Sequence, residues 1–232
     1  MTSALMLVVA LVLAAALVLL WRNTRLAARA EAIRTYPLPR GLYDKLREKF
    51  PHLTLKDCQL VGHALRHFFL AHLKSGRKFV SMPSVVADEL WHEFILHTRS
   101  YEQFCRQAFG RFMHHTPAVV LGSGRLSNAG LRRCWRYTCL EEHIDPRKPT
   151  RLPLLFALDA KLGIPGGFRY VPDCGGPRRE GADAGSGAVV YCAGDFSSPD
   201  VDGGTEGLDD SAGADGGDGG SGCGGGCGGG GD

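Results

Sequence analysis

Residues 4–20 form one unbroken apolar run, ALMLVVALVLAAALVLL, closed by Trp21. At about 1.5 Å of rise per residue, roughly 18 helical residues reach about 27 Å, close to a hydrocarbon core of about 30 Å. No Lys or Arg precedes the run, and it exceeds the apolar stretch of ~7–15 residues in a signal peptide. Arg22, Arg25 and Arg29 follow at once. Positive charge stays on the cytoplasmic side. The expectation is an uncleaved single-pass anchor over residues 1–21 with its N-terminus outside, and a basic juxtamembrane linker over 22–40 that begins as a helical extension of the anchor and ends at Tyr36-Pro37-Leu38-Pro39. The remaining chain then lies in the cytoplasm, beneath a bacterial inner membrane. Lipid is the expected partner of residues 4–21 and of the basic linker.

Charge is uneven along the 232 residues. Up to Cys174 there are 25 Lys and Arg against 13 Asp and Glu; beyond it, 2 against 11. A basic front beside a membrane favours anionic lipid over nucleic acid as the target of Arg132, Arg133, Arg136, Arg147, Lys148 and Arg151. Nucleic acid is therefore not an expected partner, and another protein is. The eight cysteines, on the cytoplasmic side, read as reduced thiols. No C-x-x-C occurs, which removes the commonest half-motif of a zinc site. Cys58, Cys105, Cys134 and Cys139 read as small buried hydrophobes.

From residue 41 to 165 the periodicity is helical throughout, with no strand-like alternation. Leu42, Leu46 and Phe50 recur at four-residue spacing in a short helix. Thr54 reads as the N-cap of a long one reaching Lys74, with Ser75-Gly76 as its stop. Its apolar stripe holds Cys58, Val61, Leu65, Phe68 and Phe69, with His72 in the middle of it and the pair His63 and His67 turned away to solvent. Met82-Pro83-Ser84 opens a helix to about His97. Ser100 reads as the N-cap of the next, with Tyr101, Phe104, Cys105, Ala108 and Phe112 on one stripe. A helix capped by Ser127 and a short one over residues 154–162 complete the domain. The fold class is all-α: an N-terminal transmembrane helix, a compact bundle of about five or six helices over residues 41–172, and a tail. Residues 173–232 hold most of the glycines and little apolar surface, and are expected to be a disordered, acidic, Gly/Cys-rich tail. Val189 to Cys192 stands out there as an isolated strand candidate. Cys223 and Cys227, in C-G-G-G-C, are expected to be reactive, exposed thiols.

The unusual side chains gather in residues 81–117. Asp88 and His92, at i and i+4, share one edge of a helix face. Together with His72 they are the polar groups nearest the expected core, and a metal site built on His72, Asp88 and His92 would suit zinc, manganese or iron. Glu89-x-x-His92 matches half of a di-iron motif, with no second copy. His92-Glu93 with His97 is not a zincin helix, because a spacing of five turns the two histidines about 140° apart. Cys105 lies on a buried stripe, which disfavours a nucleophile.

Asp88-x-x-Trp91-His92, followed by Tyr101 and Cys105, resembles the core pattern of the glycine-rich domain-containing protein-like family. His114-His115-Thr116-Pro117 and the stretch LPLLFALDAKLGIPGGF are similar to its bacterial members. The resemblance spans roughly residues 40–170 and marks Trp91, Tyr101, Cys105, His114 and His115 as motif positions. Relatives often carry a second His where this chain has Phe94. No activity follows from the resemblance. The expected function is a membrane-tethered cytoplasmic module for binding or scaffolding. The alternative is a metal-binding domain, hydrolytic or redox, using Asp88, His92 and His72.

Overall fold

The computed structural model describes residues 2–115, 125–172, 190–192 and 196. It is an all-α protein in which seven helices are seen among the described residues: α1 (Thr2–Thr35), α2 (Leu42–Lys49), α3 (Leu55–Lys74), α4 (Val85–Leu96), α5 (Thr98–Ala108), α6 (Arg125–Glu141) and α7 (Leu154–Lys161). Six of them follow the apolar N-terminal helix. Two three-residue strands, β1 (Arg169–Val171) and β2 (Val190–Cys192), pair in parallel with Tyr170 opposite Tyr191.

Helix α1 is long and apolar enough to cross a membrane, and its apolar residues from Leu5 to Trp21 are exposed. The basic juxtamembrane segment over 22–40 is helical for most of its length. The helix runs without a break to Thr35, because RLAARAEAIR is rich in strong helix formers. Ala30 and Ile33, three apart, then face the domain and are buried, Ile33 completely. Arg34 bonds Glu141 of α6 at 2.6 Å. Pro37 and Pro39 fall just past the end, where a helix cannot continue.

Helix α3 is the centre of the domain, packed by α1, α2, α4, α6 and α7. Thr54 and Asp57 form a full capping box at its start. Phe68 and Phe69 are buried against Trp91 of α4, and Phe69 also packs on Phe104 of α5. The pair His63 and His67 does not face solvent together. His63 is exposed, but His67 is buried with its Nδ1 3.2 Å from Glu142 Oε1.

Two expected helix ends move. Helix α5 begins at Thr98, with His97 as the junction to α4, so Ser100 is inside the helix rather than capping it. There its carbonyl accepts from Tyr36 Oη at 2.8 Å. The helix stops at Ala108, and Phe112 leaves the core stripe to stand 45% exposed. The folded unit also takes in part of the expected tail. Strand β2 belongs to it, and Phe196 is buried against Trp135, Phe156 and Tyr170. Aromatic area of this size outweighs the chain entropy of one short return segment. The remaining tail, with Cys223 and Cys227, lies outside the described residues.

Candidate metal centre

The site begins with what holds α4. Ser84 caps the helix, accepting from Ala87 N at 3.2 Å, and its hydroxyl donates to Asp159 Oδ1 at 2.7 Å. Asp159, only 2% exposed, also accepts from Val85 N at 2.7 Å, Val86 N at 3.3 Å and Phe168 N at 3.0 Å. A carboxylate at the positive end of a helix is stabilised by dipole and N–H groups alike. It ties the start of α4 to α7 and to the approach to β1. With that start fixed, Leu90, Trp91 and Phe94 face the core, and Asp88 and His92 lie along the rim.

A second set of bonds positions the segment after α5. Trp91 Nε1 donates to Tyr101 Oη at 3.2 Å, and Tyr101 Oη donates to the Met113 carbonyl at 2.6 Å. Burial raises the Tyr101 phenol well above its ordinary value, so it stays a donor. Met113 thus held, His115 comes down on Trp91 with ring centroids 4.5 Å apart, edge to face. The motif residues Trp91 and Tyr101 act together to aim His115.

His115 Nε2 lies 2.9 Å from Asp88 Oδ1, and His92 Nε2 lies 3.7 Å from Asp88 Oδ2. The two imidazole rings are 4.4 Å apart. One ligand atom from each of the three residues falls within 4.8 Å of the others, and among the described residues this is the one such group of three. Metal bonds of about 2.1 Å in a tetrahedron set ligand atoms about 3.4 Å apart. The 2.9 Å approach ends on Asp88 Oδ1 and the 3.7 Å approach on Oδ2, so each imidazole faces its own carboxylate oxygen. The side chains are 31%, 45% and 13% exposed for Asp88, His92 and His115, so an ion has a way in from solvent. Asp88 and His115 also line a cleft of about 910 Å³, with Trp91, Phe79 and Met82 among its apolar walls.

Of the expected trio of His72, Asp88 and His92, the structure brings Asp88 and His92 together and leaves His72 apart from them. His72 borders the same cleft but is buried, its Nδ1 donating to the Lys78 carbonyl at 2.9 Å and its ring edge-on to Phe109. Burial is the largest influence on it and brings its pKa down to about 4. His115, expected only as a motif residue, takes the third place. His114 points elsewhere: it is exposed, with its ring against Phe112. Glu89 pairs with Lys49 of α2 and not with the trio. Cys105 is fully buried, and desolvation raises its thiol pKa, which suits an inert core group.

Nothing in the spacing announces Asp159 or Glu142. Glu142 joins His67 to Arg151 and to the Leu154 N–H at the start of α7, at 2.6 Å for each of the last two. Burial raises this carboxyl, but His67, Arg151 and Leu154 outweigh that and bring it down to about 2. With its oxygens so engaged, Glu142 belongs to the frame of the fold.

One family model matches the chain, over residues 28–196, and it is described as UCP032817-like. The match starts inside α1, just before its docked half, and ends on Phe196, the last described residue. No curated protein and no solved structure matches.

Proposed function

We propose, for a chain that belongs to the UCP032817-like family, that the helical domain is a membrane-tethered metal-binding module with Asp88, His92 and His115 as protein ligands. One observation carries this reading. Three ligand atoms from positions up to 27 residues apart lie within 4.8 Å of one another, with Asp88 and His115 at the rim of a cleft. Two imidazoles and a carboxylate suit zinc, manganese or iron, and three protein ligands leave further coordination positions open. Asp88, His92 and His115 would hold the ion, which would supply Lewis-acid chemistry to a bound oxygen or water, the basis of a hydrolytic role. We also propose that residues 4–21 anchor the module in a bacterial inner membrane, N-terminus outside and domain in the cytoplasm. Arg22, Arg25 and Arg29 support that orientation. Kinship with the glycine-rich domain-containing protein-like family is proposed on the motif residues Asp88, Trp91, His92, Tyr101 and Cys105.

A second reading has its own observation. The 2.9 Å bond between Asp88 and His115 closes the segment after α5 onto α4 with no ion needed. In that reading the trio is a clamp, and the domain is a binding or scaffolding module. Elemental analysis of the full chain, purified in neutral detergent without chelator, separates the two. About one equivalent of zinc, manganese or iron, lost in His92→Ala and His115→Ala at unchanged helicity, supports the metal module. A wild-type chain that neither retains nor takes up metal, with His115→Ala altering stability alone, leaves the clamp.

A further inference from the structure

Three arginines from three parts of the chain converge on the turn that follows α5. Arg29 comes from α1, Arg77 from the end of α3, and Arg111 from the turn itself. Arg77 Nη1 donates to the Phe109 carbonyl at 2.9 Å, and Arg111 Nη2 donates to the Arg77 carbonyl at 2.7 Å. Arg29 lies directly over Gly110: a Cβ there would meet its Nη2 at 2.5 Å, and the glycine has φ 73. Gly110 is thus required twice, for its left-handed backbone and for the guanidinium above it. Arg77 adopts φ 64, uncommon for a residue with a Cβ.

Among the described residues, none of the three arginines has an acidic ion-pair partner. Burial first, and then the charges of Arg29 and Arg111, pull the Arg77 guanidinium below its ordinary value. Each guanidinium carries five N–H donors in a planar fork, and the bonds to Phe109 and Arg77 use few of them. Like charges held together by backbone contacts repel unless an anion sits among them. The fork geometry matches phosphate oxygens.

The position along α1 says where the phosphate comes from. Arg29 stands eight residues past Trp21, about 12 Å along the helix axis. Side chains on a helix lean toward its N-terminus, which here is the direction of the membrane. The headgroup layer adds about 5–7 Å beyond the hydrocarbon on each side, which brings it toward the arginines. We infer that Arg29, Arg77 and Arg111 form a phosphate site for the headgroup of an anionic phospholipid, at the foot of the membrane helix. The site stands whether or not Asp88, His92 and His115 hold a metal. Arg77 and Arg111 line the same cleft as Asp88 and His115, so a bound headgroup lies beside that trio.

Native mass spectrometry of the full chain, released from neutral detergent, tests the site with phosphatidylglycerol and phosphatidylcholine of matched acyl chains. Phosphatidylglycerol should be retained about tenfold more strongly. Arg29→Gln and Arg111→Gln should each bring it to the phosphatidylcholine level, with the circular dichroism spectrum unchanged. Arg106→Gln removes an exposed arginine of α5 outside the cluster and should leave retention as it is. Equal retention of the two lipids, or equal loss in all three variants, overturns the site. Inorganic phosphate is the second probe, titrated calorimetrically. If it binds as tightly as the lipid and is lost in the same variants, free phosphate is the ligand and the lipid assignment falls.

Discussion

His72 keeps its Nδ1 proton on the Lys78 carbonyl, which leaves the ring neutral inside the domain. Burial, then the charges of Arg111 and Arg77, outweigh that bond and lower its pKa from 6.5 to about 4. The sign follows from proton counting. Between those two values the unfolded chain binds the proton and the folded one does not, so stability falls as pH drops from 6.5 toward 4. The full effect is at most about 3 kcal/mol. Asparagine can make the same donation to Lys78 without titrating. Denaturant unfolding of the metal-free chain at several pH values should therefore show the acid loss in wild type and a flatter profile in His72→Asn. Identical profiles would mean that His72 does not govern this range. Residue type on its own misleads here. A histidine in the middle of an apolar stripe reads as a ligand when its partner is a backbone carbonyl that spacing cannot reveal. His115 misleads the other way, since its role depends on Trp91 and Tyr101 bringing its segment back over Asp88.

Elements were legible where their signals are local. Thr54 with Asp57, and Ser84, cap α3 and α4 by contacts within four residues, and the stretch from 54 to 97 announces both helices. Ser100 is as good a cap by its residue type, yet the chain passes it because α5 follows α4 directly through His97. Strand β2 was visible as an apolar run, but its partner β1 lies about twenty residues upstream, and only tertiary packing pairs them. Asp159 is the plainest gap: an acid on an apolar helix reads as surface, whereas here it is buried under the start of α4. Asp159→Ala leaves the Ser84 hydroxyl and the Val85, Val86 and Phe168 amides without their acceptor. Chemical unfolding should report a loss of about 3 kcal/mol or more, since each unmet buried donor costs about 1–3 kcal/mol. A loss below about 1 kcal/mol would show that α4 is held by apolar packing instead.

Across the whole molecule, α1 runs unbroken from an apolar first half long enough to cross a membrane into the helical domain. Its first half is exposed and apolar, and its second half supplies Ala30 and Ile33 to the core. In the proposed anchor reading, the docked second half of α1 would hold the domain close to the membrane rather than on a loose tether. A chain starting at residue 22 keeps the docked half of α1, while one starting at residue 36 loses it. The shorter chain should be less stable by about 3 kcal/mol, from the burial of Ile33 and its neighbours, seen as a lower Tm. Equal melting would mean that the docked half of α1 adds nothing to the stability of the domain. Beside α1 one cleft brings together Asp88 and His115 of the trio with Arg77 and Arg111 of the arginine cluster, from segments far apart in sequence. Calorimetric titration of zinc into the metal-stripped full chain tests the trio most directly, with His115→Ala and His72→Asn alongside. One saturable site in wild type, retained in His72→Asn and abolished in His115→Ala, is the expected result. A site that survives loss of His115 but not of His72, or no site at all, would contradict the metal centre described by this geometry.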